Sequence, residues 1–327
     1  MTTLAMSGRF TMSVQKSPPA NGQTPEALAP IYKKCIAFTT PQNYAERLSH
    51  LLQLSGAEPI WSPTVVVEPT PRTRASIRNF LLSSPSQGDN DASSLQDFSA
   101  IAFTSRTGIL AFAESLTELE NPPLAPTDRG FTVSALGKDA ELLTEGFLAM
   151  LCEDPKRRIR VLVPPKATPA SMVESLGTGH GRRILCPVPL VVGINEPPVI
   201  PDFLRALSSR DWIPVRVSAY ETRWAGPKSA EVLLRRKERL DAIVFTSTGE
   251  VEGMLKSCRD LGFDDWGTVR KRWPGLVVAA HGPVTALGAE RLGVGVDVVS
   301  SRFDSFEGIV EALALKWGAE SAPVHDS

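Results

Sequence analysis

Short apolar runs alternate with helix-like patterns along most of this chain. The run Cys35–Thr40 has the composition of a buried strand, and Leu48, Leu51 and Leu52 after it recur at helical spacing. This alternation continues to the end of the chain and predicts an α/β fold with doubly wound parallel sheets. Further strands are predicted over 131–136, 160–163, 183–186, 276–280 and 296–299, and further helices over 76–82, 108–119, 139–151, 201–207, 229–240, 283–292 and 306–315.

One signature in this pattern occurs twice. An apolar run ends in Phe-Thr-Ser at Phe103–Ser105, here called the first loop, and again at Phe245–Ser247, the second loop. Small residues and a helix-like pattern follow each loop. A second strand-like run then reaches Gly137 or Gly282, which lie 34 and 37 residues after Phe103 and Phe245. Such self-similarity predicts a duplicated α/β unit whose two loops face each other across a ligand cleft.

The N-terminal strand–helix–strand is too small to bury a core of its own. We therefore predict a discontinuous α/β domain formed by residues 33–68 and 222–318, with residues 72–216 inserted as a second α/β domain. Two extended crossings, near 65–68 and 217–222, would join the domains as a two-stranded linker. Residues 1–32 and 319–327 are predicted to be tails.

Composition excludes several classes of partner. With 42% hydrophobic and 22% charged residues, the 327-residue chain fits a globular protein of about two domains. No apolar run approaches the roughly 18 residues that cross a bilayer, so no membrane association is expected. A formal net charge of −1 offers no basic excess for nucleic acid. No coiled-coil pattern is present, and a monomer is the expectation.

The first 25 residues contain no Asp or Glu but several Ser and Thr. This composition is typical of an organelle transit peptide and predicts a plastid location. An ordinary disordered tail has the same composition, so a cytoplasmic location is the alternative.

Metal and redox chemistry have no support in the sequence. The cysteines Cys35, Cys152, Cys186 and Cys258 are widely separated and form no CxxC pair, and the four histidines form no HxH, HxxxH or HExxH motif. A Walker A loop, a dinucleotide-binding fingerprint and a GxSxG elbow are also absent. We therefore expect no metal and no nucleotide cofactor.

The hydroxyl residues of the two loops are the main binding candidates. Thr104, Ser105, Thr246 and Ser247 would lie at the carboxyl ends of their strands, where open α/β sheets bind ligands. The helix after each loop offers free N–H groups, which suit a carboxylate or a phosphate. The alternative is that these residues only cap helices, which is worth about 1 kcal/mol each.

Two further positions suggest chemistry. Gly282 precedes Pro283 at a predicted strand-to-helix turn, and the Thr285 hydroxyl one turn later is expected to face the cleft. Tyr220 lies on the second crossing, where a phenol facing the cleft would donate a hydrogen bond or a proton. A plain helix start and interdomain packing are the respective alternatives.

Together these residues resemble the uroporphyrinogen-III synthase family. The resemblance rests on the second loop and on Val278–Thr285. It continues through Val296–Val299 and Ser305–Leu313, which are similar to the closing strand and helix of that family. Tyr220 matches a tyrosine that typically follows the middle domain of its members.

The resemblance implies a fold, a reaction and a site. Members have two α/β domains joined by a two-stranded linker. They convert the linear tetrapyrrole hydroxymethylbilane to uroporphyrinogen III, with loss of water and inversion of ring D, in heme and chlorophyll synthesis, and they use no cofactor or metal. The substrate carries eight carboxylates. The resemblance carries the acid role to Tyr220 and substrate-binding roles to Thr104, Ser105, Thr246, Ser247, Gly282 and Thr285.

The chain also departs from the pattern of that family. Gly137-Lys138-Asp139 replaces a glycine followed by a Thr-bearing helix start, and the segment 185–198 is long, apolar and rich in proline. Arg106 stands where a small residue is usual, and we expect it to bind a substrate carboxylate. These departures leave an alternative open, a non-catalytic two-domain paralogue that binds a tetrapyrrole or another polyanion.

Overall fold

The computed structural model of the protein describes residues 30–82, 94–127, 129–236, 239–302 and 305–321. Most of the predicted N-terminal tail or transit segment therefore lies outside the described residues, as do residues 322–327 of the predicted C-terminal tail. The described chain begins inside the predicted tail, with Ile31 fully buried.

Strands and helices alternate as the pattern predicts. The strands are β1 (Cys35–Phe38), β2 (Glu58–Trp61), β3 (Val65–Glu68), β4 (Ala100–Phe103), β5 (Phe131–Ala135), β6 (Ile159–Leu162), β7 (Arg183–Val192), β8 (Ile213–Trp224), β9 (Ala242–Phe245), β10 (Val277–Ala280) and β11 (Val298–Val299). The helices are α1 (Gln42–Leu54), α2 (Pro71–Leu82), α3 (Arg106–Thr117), α4 (Glu145–Leu151), α5 (Pro155–Arg158), α6 (Pro169–Leu176), α7 (Val199–Ser208), α8 (Glu231–Leu234), α9 (Thr248–Asp260), α10 (Trp266–Arg272), α11 (Pro283–Arg291) and α12 (Glu307–Ser321).

The first sheet is assembled from both ends of the chain. Its five strands are all parallel and follow the order β11-β10-β9-β1-β2, so β1 pairs with β9 more than 200 residues later. The prediction of a discontinuous α/β domain is thereby confirmed at the level of the sheet. The exact boundaries at 33–68 and 222–318 stay predictions.

The second sheet has six strands in the order β3-β8-β7-β4-β5-β6. All its pairs are parallel except β3 with β8, which run antiparallel with Val65 opposite Trp224 and Glu68 opposite Glu221. These are the two predicted crossings. The linker is continuous with the sheet because the 12-residue strand β8 pairs with β7 along most of its length.

The central strands are buried on both faces, which accounts for the wholly apolar runs from which parallel sheets were predicted. Every residue of β1, β4, β9 and β10 is buried, as expected for strands covered by helices on both faces. Four apolar clusters result, one on each face of each sheet. Phe103 and Phe245, which begin the two loops, point into two of these clusters.

Two predicted helices are interrupted in the structure, and two others, predicted over 76–82 and 306–315, are longer than predicted, at 71–82 and 307–321. The pattern over 139–151 contains a 3₁₀ turn at Gly137–Leu142 and then α4, because Gly137 adopts a positive φ of 48° and Thr144 caps a new helix. The pattern over 229–240 yields a 3₁₀ turn and the four-residue α8, since the Arg-rich stretch after Leu234 supplies no apolar stripe. Helices α5, α6 and α10 are absent from the sequence prediction.

Among the described residues, no helix has the length and hydropathy that a membrane crossing requires.

Candidate functional site

The two loops lie on opposite sides of one cleft between the sheets. A cavity of about 280 Å³ there is lined by Ser105 of the first loop, Thr246 and Ser247 of the second loop, and Tyr220 of the linker strand β8. Tyr44 of α1 closes another side. The structure thus brings residues of both loops and the tyrosine together at this cleft, and their roles toward a substrate stay predictions.

Two further cavities continue this cleft. One of about 180 Å³ shares Ser105 and Tyr220 with the first and reaches Thr104. The other has about 600 Å³, lies between α7 and the helices α9 and α11, and shares Pro197 and Gly249 with the first. Its wall is largely apolar and includes Phe203 and Leu287. The three cavities together form a cleft large enough for a ligand bigger than a single aromatic ring.

Tyr220 is fixed to the first loop. Its phenol oxygen lies 2.9 Å from Ser105 Oγ, and either hydroxyl can donate. Ser105 caps α3 by accepting the Gly108 N–H at 3.2 Å. When Ser105 donates its own proton to the phenol oxygen, the Tyr220 proton is free to point into the cavity.

Burial makes Tyr220 a weak acid. Only 7% of the residue is exposed, and desolvation raises its pKa from 10.0 to about 12. The Ser105 hydrogen bond lowers the pKa, but the nearby Tyr44 and Asp139 raise it further. Tyr220 therefore keeps its proton throughout the physiological range and acts there as a hydrogen-bond donor.

We expect an ultraviolet titration of tyrosine to isolate this ionisation by comparison with Tyr220→Phe, because burial raises the pKa of Tyr44 as well. The chain has three tyrosines, and Tyr220 should contribute a step near pH 12 that is missing in Tyr220→Phe. Because the folded pKa is raised, the stability that it contributes is complete below pH 10 and is lost as the pH rises through 12. Spectra taken immediately after a rapid pH jump measure the step before the chain unfolds. If Tyr220→Phe instead lacks a step near pH 10, the pKa of Tyr220 is not raised by burial.

The donors of the second loop are bound to an internal carboxyl group. Glu250, on the first turn of α9, accepts hydrogen bonds from the Thr246 N–H at 2.8 Å, from the Ser247 hydroxyl at 3.2 Å and from the Thr246 hydroxyl. The Thr39 hydroxyl donates to it at 2.7 Å. Glu250 is only 1% exposed, yet it lines the 280 Å³ cavity.

The environment of Glu250 disfavours its charge. Desolvation raises the pKa of the carboxyl above its ordinary value of 4.5, although the hydrogen bonds from Thr246, Thr39 and Ser247 act in the opposite direction. Within the described part of the chain, no Lys or Arg forms an ion pair with it.

Thr285 and Gly282 lie behind the cleft wall. The Thr285 hydroxyl donates to the Thr246 carbonyl at 3.2 Å, and the residue is 6% exposed. Gly282 is the buried N-cap of α11 in an extended conformation. Neither residue lines the three cavities, so their nearest function in this conformation is to support the second loop.

Arg106 is exposed at the start of α3, beside Asp139. Burial raises the pKa of the Asp139 carboxyl, while the charge of Arg106 and its backbone N–H lower it. The Arg106 side chain lines none of the three cavities in this conformation. Its predicted contact with a substrate carboxylate would need the side chain to turn toward the cleft.

The proline-rich segment 185–198 becomes part of the cleft. Its first half extends β7 to Val192, and Pro189 and Val191 line the cavity beside Tyr220. Its second half is fastened to α9, since the Asn195 N–H donates to Glu252 at 2.8 Å and Lys256 donates to the Gly193 carbonyl.

Sequence reasoning missed Glu250, Tyr44 and Thr39. A signal for Glu250 was available, since Ser247 and Glu250 have the S-x-x-E spacing of a helix capping box. Tyr44 and Thr39 carried no comparable signal, because their approach to the cleft depends on how α1 and β1 pack beside β9.

The chain is similar to known proteins of one family. The family model described as "Uroporphyrinogen-III synthase HemD" matches residues 46–310. A putative uroporphyrinogen-III synthase of Methanothermobacter thermautotrophicus is 33% identical over 93 residues, which are 28% of this chain and 34% of that protein. The match thus spans about a third of that relative.

Among solved structures, a mutant uroporphyrinogen III synthase of Thermus thermophilus has a TM-score of 0.51 at 19% identity, covering 86% of this chain and 99% of that one. The likeness supports the fold alone, with two parallel-sheet domains of which one is discontinuous. Because the family model covers most of the sequence, the chain belongs to the uroporphyrinogen-III synthase HemD family.

Proposed function

We propose that this protein is a uroporphyrinogen-III synthase, which converts hydroxymethylbilane to uroporphyrinogen III by loss of water, inversion of ring D and ring closure. The observation that carries the proposal is the single cleft that joins Ser105, Tyr220, Thr246 and Ser247 from both halves of the duplicated fold. Family membership supplies the reaction, and the cleft supplies a place for it.

The cleft suits the two parts of a tetrapyrrole. The 600 Å³ cavity, with Phe203 and Leu287 in its wall, would take apolar pyrrole rings. Its rim carries Arg291, and Arg106 lies at the first loop, so cations are available for some of the substrate carboxylates. Enclosure between two domains would also shield a reactive intermediate from water.

Tyr220 would assist departure of the substrate hydroxyl. Its pKa of about 12 lies below the value of 15.7 for water, so the phenol is acidic enough to protonate a leaving hydroxide. The C–O bond breaks, the electron pair leaves with oxygen, and the Tyr220 proton completes the water molecule. Ser105 would then stabilise the phenolate by donating a hydrogen bond to it.

A coupled assay tests the proposal. The purified protein is added while hydroxymethylbilane is generated in situ, and the oxidised uroporphyrin isomers are separated by chromatography. The synthase yields predominantly the type III isomer. Only the spontaneous type I isomer, from folded protein, would refute the synthase and favour the alternative.

The alternative is a non-catalytic paralogue that binds a tetrapyrrole or another polyanion. One observation favours it, namely that Glu250 already holds the hydrogen-bond donors of the second loop. Such a protein would bind uroporphyrin, with a change in tryptophan fluorescence, and would cyclise nothing.

The proposal also covers the assembly and location of the protein. The enzyme would act as a monomer without cofactor or metal, with residues 33–68 plus 222–318 and residues 72–216 as its two domains. It would act in a plastid if residues 1–32 are a transit segment, and in the cytoplasm otherwise. Sedimentation and cell fractionation test these points.

A further inference from the structure

Both loops consist of Phe-Thr-Ser, but the residue three positions after the serine differs. It is Gly108 after the first loop and Glu250 after the second. Both serines accept the N–H at that position and thereby cap their helices. In the first loop no side chain projects there, and the ring of Tyr220 lies 3.8 Å from where a Cβ on Gly108 would be. In the second loop the Glu250 carboxyl turns back onto the loop.

The Glu250 carboxyl occupies the very groups that would bind a substrate acid. Its two oxygens accept from the Thr246 N–H, the Thr246 hydroxyl, the Ser247 hydroxyl and the Thr39 hydroxyl. A carboxylate oxygen has about two acceptor positions, so this set saturates the group. The N–H of Thr246 and the hydroxyls of Thr246 and Ser247 are therefore already engaged by Glu250 when a second carboxylate arrives.

A helix cap alone does not account for this arrangement. In a capping box the N3 carboxyl accepts the N–H of the N-cap residue, which here is Ser247, whereas Glu250 accepts the N–H of Thr246 one residue earlier. Capping is worth about 1 kcal/mol. Burial of the carboxyl in a cavity wall without a cation opposes that gain.

We propose that Glu250 is a positioning residue that closes the second loop to substrate carboxylates and makes the loop an acceptor of substrate N–H groups. The Thr246 and Ser247 hydroxyls donate their hydrogen bonds to Glu250, so their oxygens can act toward the cleft only as acceptors. Pyrrole N–H groups fit such acceptors. This assignment rests on the proposed function for the identity of the substrate, and it gives the two loops different tasks.

Three variants test the proposal through binding of formate and of uroporphyrin, an octacarboxylate. Glu250→Ala frees the donors of Thr246 and Ser247. Formate should then raise its melting temperature, and uroporphyrin should bind at least fivefold more tightly than to the wild type. Glu250→Gln fills the same space and keeps an acceptor for the Thr246 N–H, so its formate response and its gain in uroporphyrin affinity should both be smaller than those of Glu250→Ala. Glu250→Ser replaces the alanine variant if the latter does not fold.

The proposal is overturned if Glu250→Ala shows no response to formate, binds uroporphyrin no more tightly than the wild type does, or is matched in its formate response by Glu250→Gln. Turnover adds a second readout, because Glu250→Ala should form a smaller share of type III isomer while KM does not rise. A rise in KM with an unchanged isomer ratio would contradict the role of Glu250.

The formate measurement needs no tetrapyrrole. A wild type that forms only type I isomer and binds no uroporphyrin therefore refutes the proposed function, while the formate responses still decide whether Glu250 occupies the loop.

Discussion

Replacing Tyr220 by phenylalanine should lower kcat for formation of the type III isomer by about 100-fold and leave KM within a few-fold. General acids contribute about 10²- to 10⁴-fold to rate, and a phenol with a pKa raised to about 12 belongs near the lower end. Loss of the Ser105 hydrogen bond should cost about 1 kcal/mol of stability. Ser105 still caps α3 through the Gly108 N–H, so the first loop should persist.

The matched control is Tyr32→Phe, which removes the same hydroxyl from a residue that is 61% exposed and lines none of the three cavities. It should keep wild-type kcat. Steady-state rates and isomer ratios measure both variants. If Tyr220→Phe keeps at least half of the wild-type kcat, Tyr220 has no acid role and only packs against the first loop.

The fold was predictable because its strongest signals are local. Strands β4 and β9 are short, wholly apolar and end in Phe-Thr-Ser, so their burial and the helices after them follow from the pattern. The discontinuous sheet followed from a size argument about the N-terminal unit. The length of β7 did not, since Pro187 and Pro189 argue against a strand. They are tolerated because β7 pairs with β4 only at Ile184 and Leu185, and because its register with β8 shifts between Val188 and Pro189.

The site was predictable only in part. The duplicated unit places Ser105, Thr246 and Ser247 after equivalent strands of two sheets whose carboxyl ends border one cleft, and Tyr220 lies on the crossing that joins the sheets. The direction of each hydrogen bond depends on tertiary packing. The S-x-x-E spacing indicates that Glu250 turns back to the N–H of Ser247, and only the packing of α9 makes it accept the N–H of Thr246 instead.

The substitution Gly253→Val should make the discontinuous domain unfold at a much lower denaturant concentration, with a loss of about 3 kcal/mol or more. Gly253 lies on α9 where the helix touches the linker, and even an alanine Cβ would meet the Thr64 carbonyl oxygen at 2.5 Å. That carbonyl cannot move freely, because it accepts the Ala225 N–H at 3.0 Å. Overpacking of this kind costs about 1–3 kcal/mol for an alanine and more for a valine.

A helical glycine with space around it supplies the control. A Cβ added to Gly146 on α4 would have no atom closer than 3.7 Å, so Gly146→Ala should gain up to about 1 kcal/mol from helix propensity. Gly253→Ala should lose stability despite the same gain. Denaturant unfolding followed by tryptophan fluorescence measures the three variants. If Gly253→Ala and Gly146→Ala are stabilised equally, α9 can move away from the linker without a loss of stability.

The consequence of Gly253→Val for the site follows from the same contacts. Thr64 also donates its hydroxyl to the Glu250 carbonyl at 2.7 Å, and Trp224 of β8 donates to the Gly253 carbonyl at 3.1 Å. Helix α9 therefore fixes the linker and the second loop together. A shift of α9 that accommodates a side chain at position 253 should displace Glu250 as well. The milder variant Gly253→Ala, if it folds, should therefore form a smaller share of type III isomer. A wild-type isomer ratio in this variant would show that the contact between α9 and the linker does not influence the site.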